Sequence, residues 1–111
     1  MLKVKELKRK CSAQIEGEMT IYNAAVLKEK LMPVLEDSRD LEINLAEVTE
    51  IDSAGVQLLM LAKKERAARS YVLNLTDHSS AVVDVFELMD LVSYFNDPIV
   101  LSGKKGEQRG S

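Results

Sequence analysis

Residues 51–59 read Ile-Asp-Ser-Ala-Gly-Val-Gln-Leu-Leu and mark the point where a loop becomes a helix. Asp52 or Ser53 can accept hydrogen bonds from the first backbone N–H groups of that helix, which have no partner within it. Gly55 is unusual in a first helical turn, where glycine costs about 1 kcal/mol relative to alanine. It predicts that something approaches the backbone closely at this turn, or that the turn needs room.

The helix that starts at Ser53 is predicted to run to about Arg69, and it is too apolar for a surface helix with one buried stripe. Its apolar residues cover more than one face: Val56, Leu58, Leu59, Met60, Leu61 and Ala62. One face must contact a sheet. The second face predicts either deep core, which is the more common outcome, or a docking surface for another protein.

Two strands and a helix are predicted before this segment. Residues 4–7 and 11–16 are predicted to form a pair of strands joined by a turn. A helix follows Thr20, whose hydroxyl can cap it. The apolar residues at helical spacing are Ile21, Ala24, Ala25, Leu27, Leu31 and Leu35. Pro33 is expected to kink this helix or to end its regular part near Met32.

Strand and helix patterns alternate in the rest of the chain. Further strands are predicted at residues 41–45, 71–75 and 98–101, and a third helix from Ser79 or Ser80. A loop at residues 46–52 leads to the helix at Ser53. This order predicts an α/β fold with a mixed four- to five-stranded sheet, an N-terminal hairpin and about three packed helices. We expect one domain over residues 1–102, followed by a disordered polar tail at 103–111.

Composition excludes several classes of function. The 111 residues suit one domain, and the net charge of −3 argues against nucleic-acid binding, which needs a basic face. Cys11 is the single cysteine, so an internal disulfide is impossible and a reducing compartment fits. No apolar run is long enough for a signal sequence or a membrane span. We therefore expect a cytoplasmic protein without membrane insertion, metal or cofactor.

Three segments carry a family resemblance. They are Gly-Glu-Met at residues 17–19, Leu-Glu-Ile-Asn-Leu at 41–45, and Asp-Ser-Ala-Gly-Val at 52–56 with Leu-Leu at 58–59. Together they resemble STAS domains, a family named for sulphate transporters and anti-sigma factor antagonists. The resemblance extends over about residues 4–101 and implies the mixed α/β fold described above.

The resemblance implies a protein-binding module and not an enzyme. In anti-sigma factor antagonists of this family, a hydroxyl in the motif is phosphorylated by a serine kinase that is also the anti-sigma factor, and a phosphatase resets the system. Ser53 is the candidate phospho-acceptor, because Ala54 removes the other hydroxyl position. Asp52 and Gly55 complete the switch motif with Ala54. The predicted partner-binding residues are Gly17, Glu18, Thr20, Tyr22, Asn23, Val56, Gln57 and Met60.

Other interpretations of the same residues stay open. Ser53 can be only a helix cap, which is a common role for serine. A similar STAS domain serves as a constitutive adaptor subunit of a lipid-transport ABC ATPase, and here residues 56–62 would dock without phosphorylation. A ligand-binding or catalytic domain is supported only by His78, which lies beside Asp77 and Ser79. A turn and a helix cap explain that cluster equally well.

Overall fold

The computed structural model describes residues 1–91, which form a four-stranded sheet and three helices. In chain order the elements are β1 Leu2–Glu6, β2 Lys10–Met19, α1 Ala24–Leu35, β3 Asp40–Ile51, α2 Ser53–Ala68, β4 Leu73–Thr76 and α3 Ser80–Leu88. The edge strand predicted at residues 98–101 and the tail predicted at 103–111 lie outside the described residues.

The sheet has the strand order β1-β2-β3-β4 and combines both pairing directions. β1 and β2 form an antiparallel hairpin in which Leu2 pairs with Ile15 and Glu6 pairs with Cys11. β2 pairs with β3, and β3 with β4, in parallel. Parallel neighbours require a crossover connection, which α1 and α2 supply. The predicted α/β class, with its N-terminal hairpin and mixed sheet, is thereby confirmed.

The core lies between the sheet and the helices. The buried residues of β2 and β3 alternate along each strand, and they include Cys11, Ala13, Ile15, Leu41, Ile43 and Leu45. The helices complete the same cluster with Leu27, Leu31 and Leu35 from α1, Val56, Leu59 and Ala62 from α2, and Val82 and Phe86 from α3. Because fully burying one large apolar side chain stabilises a fold by about 1.5–3 kcal/mol, this cluster holds the helices on the sheet.

β3 extends to Ile51, so the prediction of a strand limited to residues 41–45 and a loop at 46–52 is wrong. β2 likewise continues through Gly17 to Met19 and pairs with the second half of β3. Two register shifts interrupt this pairing and break the two-residue alternation on which the sequence prediction relied. The added length brings the ends of both strands to the first turn of α2.

α1 begins at Ala24, later than the start predicted from Thr20. Thr20 is buried, and Asn23 occupies the cap position without a side-chain capping bond. Pro33 lies inside the helix, which continues past it instead of ending near Met32. A proline so close to the end of a helix removes an N–H donor from the last turn alone, which limits the damage.

Arg66 is only 1% exposed, although its sequence position suggested no more than a positive charge near the end of α2. Its guanidinium donates hydrogen bonds to the carbonyl oxygens of Leu35, Asp37, Arg39 and Val72. The same group lies 4.9 Å from the ring centroid of Tyr71. Arg66 therefore ties the end of α1 and the approach to β3 to the residues before β4. The strand predicted at 71–75 begins at Leu73.

Candidate functional site

Ser53 is the first residue of α2 and lies exposed directly after β3. The Ser53 hydroxyl makes no hydrogen bond to any residue that the structure describes. Asp52, not Ser53, supplies the helix cap. The interpretation of Ser53 as only a cap is therefore wrong, and the hydroxyl is accessible to another molecule.

The carboxylate of Asp52 joins two segments that are distant in sequence. One oxygen, Oδ1, accepts hydrogen bonds from the backbone N–H groups of Ala54 at 2.9 Å and Gly55 at 3.2 Å. The other, Oδ2, accepts from the backbone N–H of Ile21 at 3.0 Å. The bond from Ile21, followed by those from the two helical amides, lowers the pKa of Asp52 below its ordinary value. A fixed negative charge therefore lies beside Ser53.

Gly55 lies where the first turn of α2 packs against the ends of β2 and β3. A Cβ at this position would overlap the carbonyl oxygen of Met19 and would lie 2.8 Å from Met19 Cβ and 2.9 Å from Ile51 Cγ1. The same Met19 oxygen accepts a hydrogen bond from the Asp52 N–H at 3.2 Å. The close approach predicted from the sequence is confirmed, and the end of β2 is the partner.

Residues 18–23, which comprise the last two residues of β2 and the turn that leads to α1, lie across this junction from Ser53. We call them the 18–23 turn. The Asn23 side chain organises it: Oδ1 accepts from the Thr20 N–H at 2.8 Å, and Nδ2 donates to the Glu18 carbonyl oxygen. Two apolar side chains project from the turn into solvent, Tyr22 at 91% exposed and Ile21 at 70%. This exposure predicts contact with another molecule, because large apolar side chains gain from burial.

The structure separates the predicted partner-binding residues by exposure. Glu18, Tyr22 and Gln57 are exposed, Gly17, Asn23 and Met60 are partly exposed, and Thr20 and Val56 are buried. The two buried side chains belong to the core, so they cannot contact a partner without a rearrangement. Most of the second apolar face of α2 is likewise core, because Leu58, Leu59 and Ala62 are buried with Val56.

Sequence reasoning missed two exposed apolar residues. Ile21 was counted in the helical repeat of the first helix, but it precedes α1 and faces solvent. Val26, on the outer side of α1, is 51% exposed. A groove of about 390 Å³ lies between α1 and α2, and it is lined by Ala24, Ala25, Lys28, Ala54, Gln57, Leu58 and Leu61. The signal available in the sequence was the apolar pair Ile21 and Tyr22, which stands ahead of the regular helical repeat.

Comparison with known proteins identifies the family. A family model described as "Mlab, STAS domain" matches residues 4–100 of this chain. The chain belongs to the STAS domain family. The anti-sigma-B factor antagonist of Bacillus subtilis is 32% identical to this STAS domain over 88 residues, which cover 79% of this chain and 81% of that protein. The Staphylococcus aureus protein of the same name is 29% identical over 83 residues, covering 71% and 77%.

Solved structures agree with this STAS fold. An anti-sigma factor antagonist from Mycobacterium paratuberculosis superposes with a TM-score of 0.77 at 19% identity, covering 94% of this chain and 86% of that one. The antagonist SpoIIAA in its unphosphorylated form gives a TM-score of 0.62 at 17% identity, covering 79% and 83%. The Bacillus cell fate determinant SpoIIAA in its phosphorylated form gives 0.66 at 16%, covering 92% and 91%.

His78 is a buried side chain of this STAS domain, and the neighbouring Ser79 is a helix cap. The His78 ring is 4% exposed and meets Phe86 edge-on at 5.9 Å between centroids. Burial lowers its pKa. Ser79 caps α3 by accepting from the Val82 N–H at 3.3 Å, which confirms the capping interpretation of this cluster. Residues 1–91 hold no group of three or more potential metal ligands and no helix long and apolar enough to cross a membrane.

Proposed function

We propose that this STAS domain is an anti-sigma factor antagonist that binds its partner around Ser53 and is released when Ser53 is phosphorylated. The observation that carries the proposal is the exposed Ser53 hydroxyl, which is not used for capping because Asp52 caps α2. The antagonist names of the Bacillus subtilis and Staphylococcus aureus relatives support it. The docking surface comprises Tyr22 and Ile21 with Glu18 and Gln57.

The chemical step would be a phosphoryl transfer from ATP catalysed by a partner serine kinase that is also the anti-sigma factor. The Ser53 oxygen forms a bond to the γ-phosphorus, while the bond from that phosphorus to the bridging oxygen of ADP breaks. A base of the kinase takes the hydroxyl proton. A phosphatase would reverse the outcome by transferring the phosphoryl group to water. The STAS domain would supply the acceptor and no catalytic group.

The effect of the phosphate is local. It adds about −1.5 to −2 charges and three strong acceptor oxygens. The start of α2 tolerates an anion because of the helix dipole, so the domain should stay folded. However, Asp52 already accepts the N–H groups of Ala54 and Gly55, which leaves the new charge facing solvent on the docking surface. A loss of only about 1.4 kcal/mol in binding free energy lowers affinity tenfold.

The constitutive adaptor alternative is not favoured, because the curated relatives are named as anti-sigma factor antagonists. An adaptor would bind its ATPase equally well with and without phosphate on Ser53. The proposed switch requires the two forms to differ. The proposed switch also requires a cytoplasmic location, because ATP and the kinase are available there.

The direct test is phosphoryl transfer from ATP by the serine kinase encoded nearest to this gene, followed by mass spectrometry of the STAS domain. We expect one phosphate on the wild type and none on Ser53→Ala. Ser80→Ala is the matched control, because Ser80 is also the exposed first residue of a helix whose cap is the preceding residue, Ser79. Equal phosphorylation of wild type and Ser53→Ala would refute the proposal.

A binding measurement completes the test. Unphosphorylated wild type should bind the kinase with at least tenfold higher affinity than the phosphorylated protein, measured by titration calorimetry. Tyr22→Ser should weaken binding by a similar factor, because an exposed aromatic side chain is a typical binding hot spot. The exposed residue Leu88 offers a control of the same kind at the far end of α3. Leu88→Ser should leave the affinity unchanged.

A further inference from the structure

The hydrogen bond between Asp52 and Ile21 connects the switch motif to the 18–23 turn. Ile21 and Asp52 are 31 residues apart, and their bond is 3.0 Å long. The other side-chain bonds that organise the turn come from Asn23 and Thr20, which belong to the turn itself. Within the described residues, the carboxylate of Asp52 is therefore the side chain outside the turn that fixes its backbone beside Ser53.

Ile21, whose backbone N–H is bonded to Asp52, is also a residue whose position matters for docking. Ile21 and Tyr22 are the two most exposed apolar side chains near Ser53, and each would have to be ordered when a partner covers it. Fixing a backbone residue before binding removes an entropic cost that association would otherwise incur. A carboxylate suits this role because a charge-assisted hydrogen bond is roughly twice as strong as a neutral one.

We infer that Asp52 is a positioning residue of the docking surface, which holds the backbone of Ile21 so that Ile21 and Tyr22 are presented beside Ser53. This inference rests on the proposed function, because it assigns a role to Asp52 in the same partner contact. Asp52 thus has two separable tasks, one for each oxygen. Oδ1 caps α2, and Oδ2 holds the 18–23 turn.

The two tasks can be separated by substitution. Asp52→Ser keeps a preferred capping residue, but its single short hydroxyl cannot both cap α2 and reach the N–H of Ile21. Asp52→Asn also keeps a good cap, but its amide offers one acceptor oxygen where the carboxylate offers two. Glu50→Gln is the control for charge, since Glu50 is an exposed acidic residue near the end of β3 whose backbone pairs with Glu18 but whose side chain makes no bond to residues 18–23.

The experiment measures amide hydrogen exchange in the free protein and, by calorimetry, the affinity of the unphosphorylated protein for the kinase. In Asp52→Ser we expect the Ile21 amide to exchange about tenfold faster, while the Ala54 and Gly55 amides keep their protection. Affinity should fall about tenfold with an unchanged unfolding temperature. Asp52→Asn should weaken binding in the same direction, and Glu50→Gln should match the wild type.

The outcomes distinguish the inference from the function on which it rests. If the wild type binds the kinase and both Asp52 variants bind it with the same affinity as the wild type, the positioning role alone is overturned. A loss of affinity that follows a lowered unfolding temperature, with Ala54 and Gly55 also losing protection, would overturn it too, because Asp52 would then be only a cap. Failure of the wild type to bind would overturn the proposed function and this inference together.

Discussion

Replacing Gly55 with alanine should destabilise the domain, although alanine is the better helix former. On propensity alone, Gly55→Ala in α2 would add about 1 kcal/mol to the free energy of unfolding. The structure opposes this gain, because the new Cβ would overlap the Met19 carbonyl oxygen and approach Met19 Cβ to 2.8 Å. A backbone oxygen cannot rotate away as a flexible side chain can, so the first turn of α2 or the end of β2 must shift.

The size of the effect follows from these opposing terms. Forcing an extra methyl group into a well-packed site costs about 1–3 kcal/mol, and contact with fixed backbone places this site at the upper end. Subtracting the helix-propensity gain leaves a net loss of about 2 kcal/mol. For a domain of this size that loss lowers the unfolding temperature by roughly 10 °C. The displaced turn also carries Ser53, so phosphorylation by the kinase should slow.

Thermal and urea unfolding followed by circular dichroism measure the change. Lys64 lies exposed within the same helix, so the difference between Lys64→Ala and Lys64→Gly gives the pure propensity term in α2. If Gly55→Ala raises the unfolding temperature by the amount that this pair predicts, no steric penalty exists and the reasoning is refuted. If it lowers the temperature, the close contact with Met19 explains the glycine.

Three further predictions rest on other contacts. Arg66→Lys should lower the free energy of unfolding in urea by about 3 kcal/mol, because one ammonium group cannot replace the guanidinium at four separate carbonyl oxygens; a loss below about 1 kcal/mol would contradict this role. Burial lowers the pKa of His78 in the folded state. Its contribution to the free energy of unfolding should therefore be constant above pH ~6.5, the pKa of an unfolded histidine, and should decline as the pH falls towards the lower pKa of the folded state. His78→Phe should remove that slope between pH 7.5 and 5.5, and an equal slope in both proteins would exclude His78 as its cause. Phosphate on Ser53 should leave the Ile21 amide protected, because Asp52 keeps its bonds and the phosphate faces solvent; faster exchange of that amide in the phosphorylated protein would show that the phosphate also displaces the 18–23 turn.

The sequence was sufficient for the parts of the fold that depend on local periodicity. α2 and the cap of α3 could be predicted because apolar spacing and capping residues lie next to one another in the chain. β3 was predicted too short, since the register shifts opposite β2 remove the alternation that identifies a strand. A bulge is set by pairing between strands, and one strand read alone does not contain that information.

The site shows the same division between local and distant contacts. Ser53 could be selected from its motif, but its freedom from capping depends on which neighbour takes the amides of Ala54 and Gly55. Ile21 was counted among the apolar residues of the first helix because its spacing matched, yet the helix starts three residues later. The role of Arg66 could not be predicted, since its four acceptors are backbone groups that any sequence would provide.

The spacing of the Asp-Ser-Ala-Gly motif has a single physical explanation in this structure. The missing side chain of Gly55 lets the first turn of α2 rest on the end of β2. That approach brings Asp52 within hydrogen-bond distance of Ile21, which follows β2 by two residues. Since Asp52 then caps α2 as well, the residue between Asp52 and Ala54 has no structural bond to make and can face solvent. The exposed hydroxyl of Ser53 is thus a consequence of its neighbours, and a larger residue at position 55 should disturb the 18–23 turn and Ser53 together.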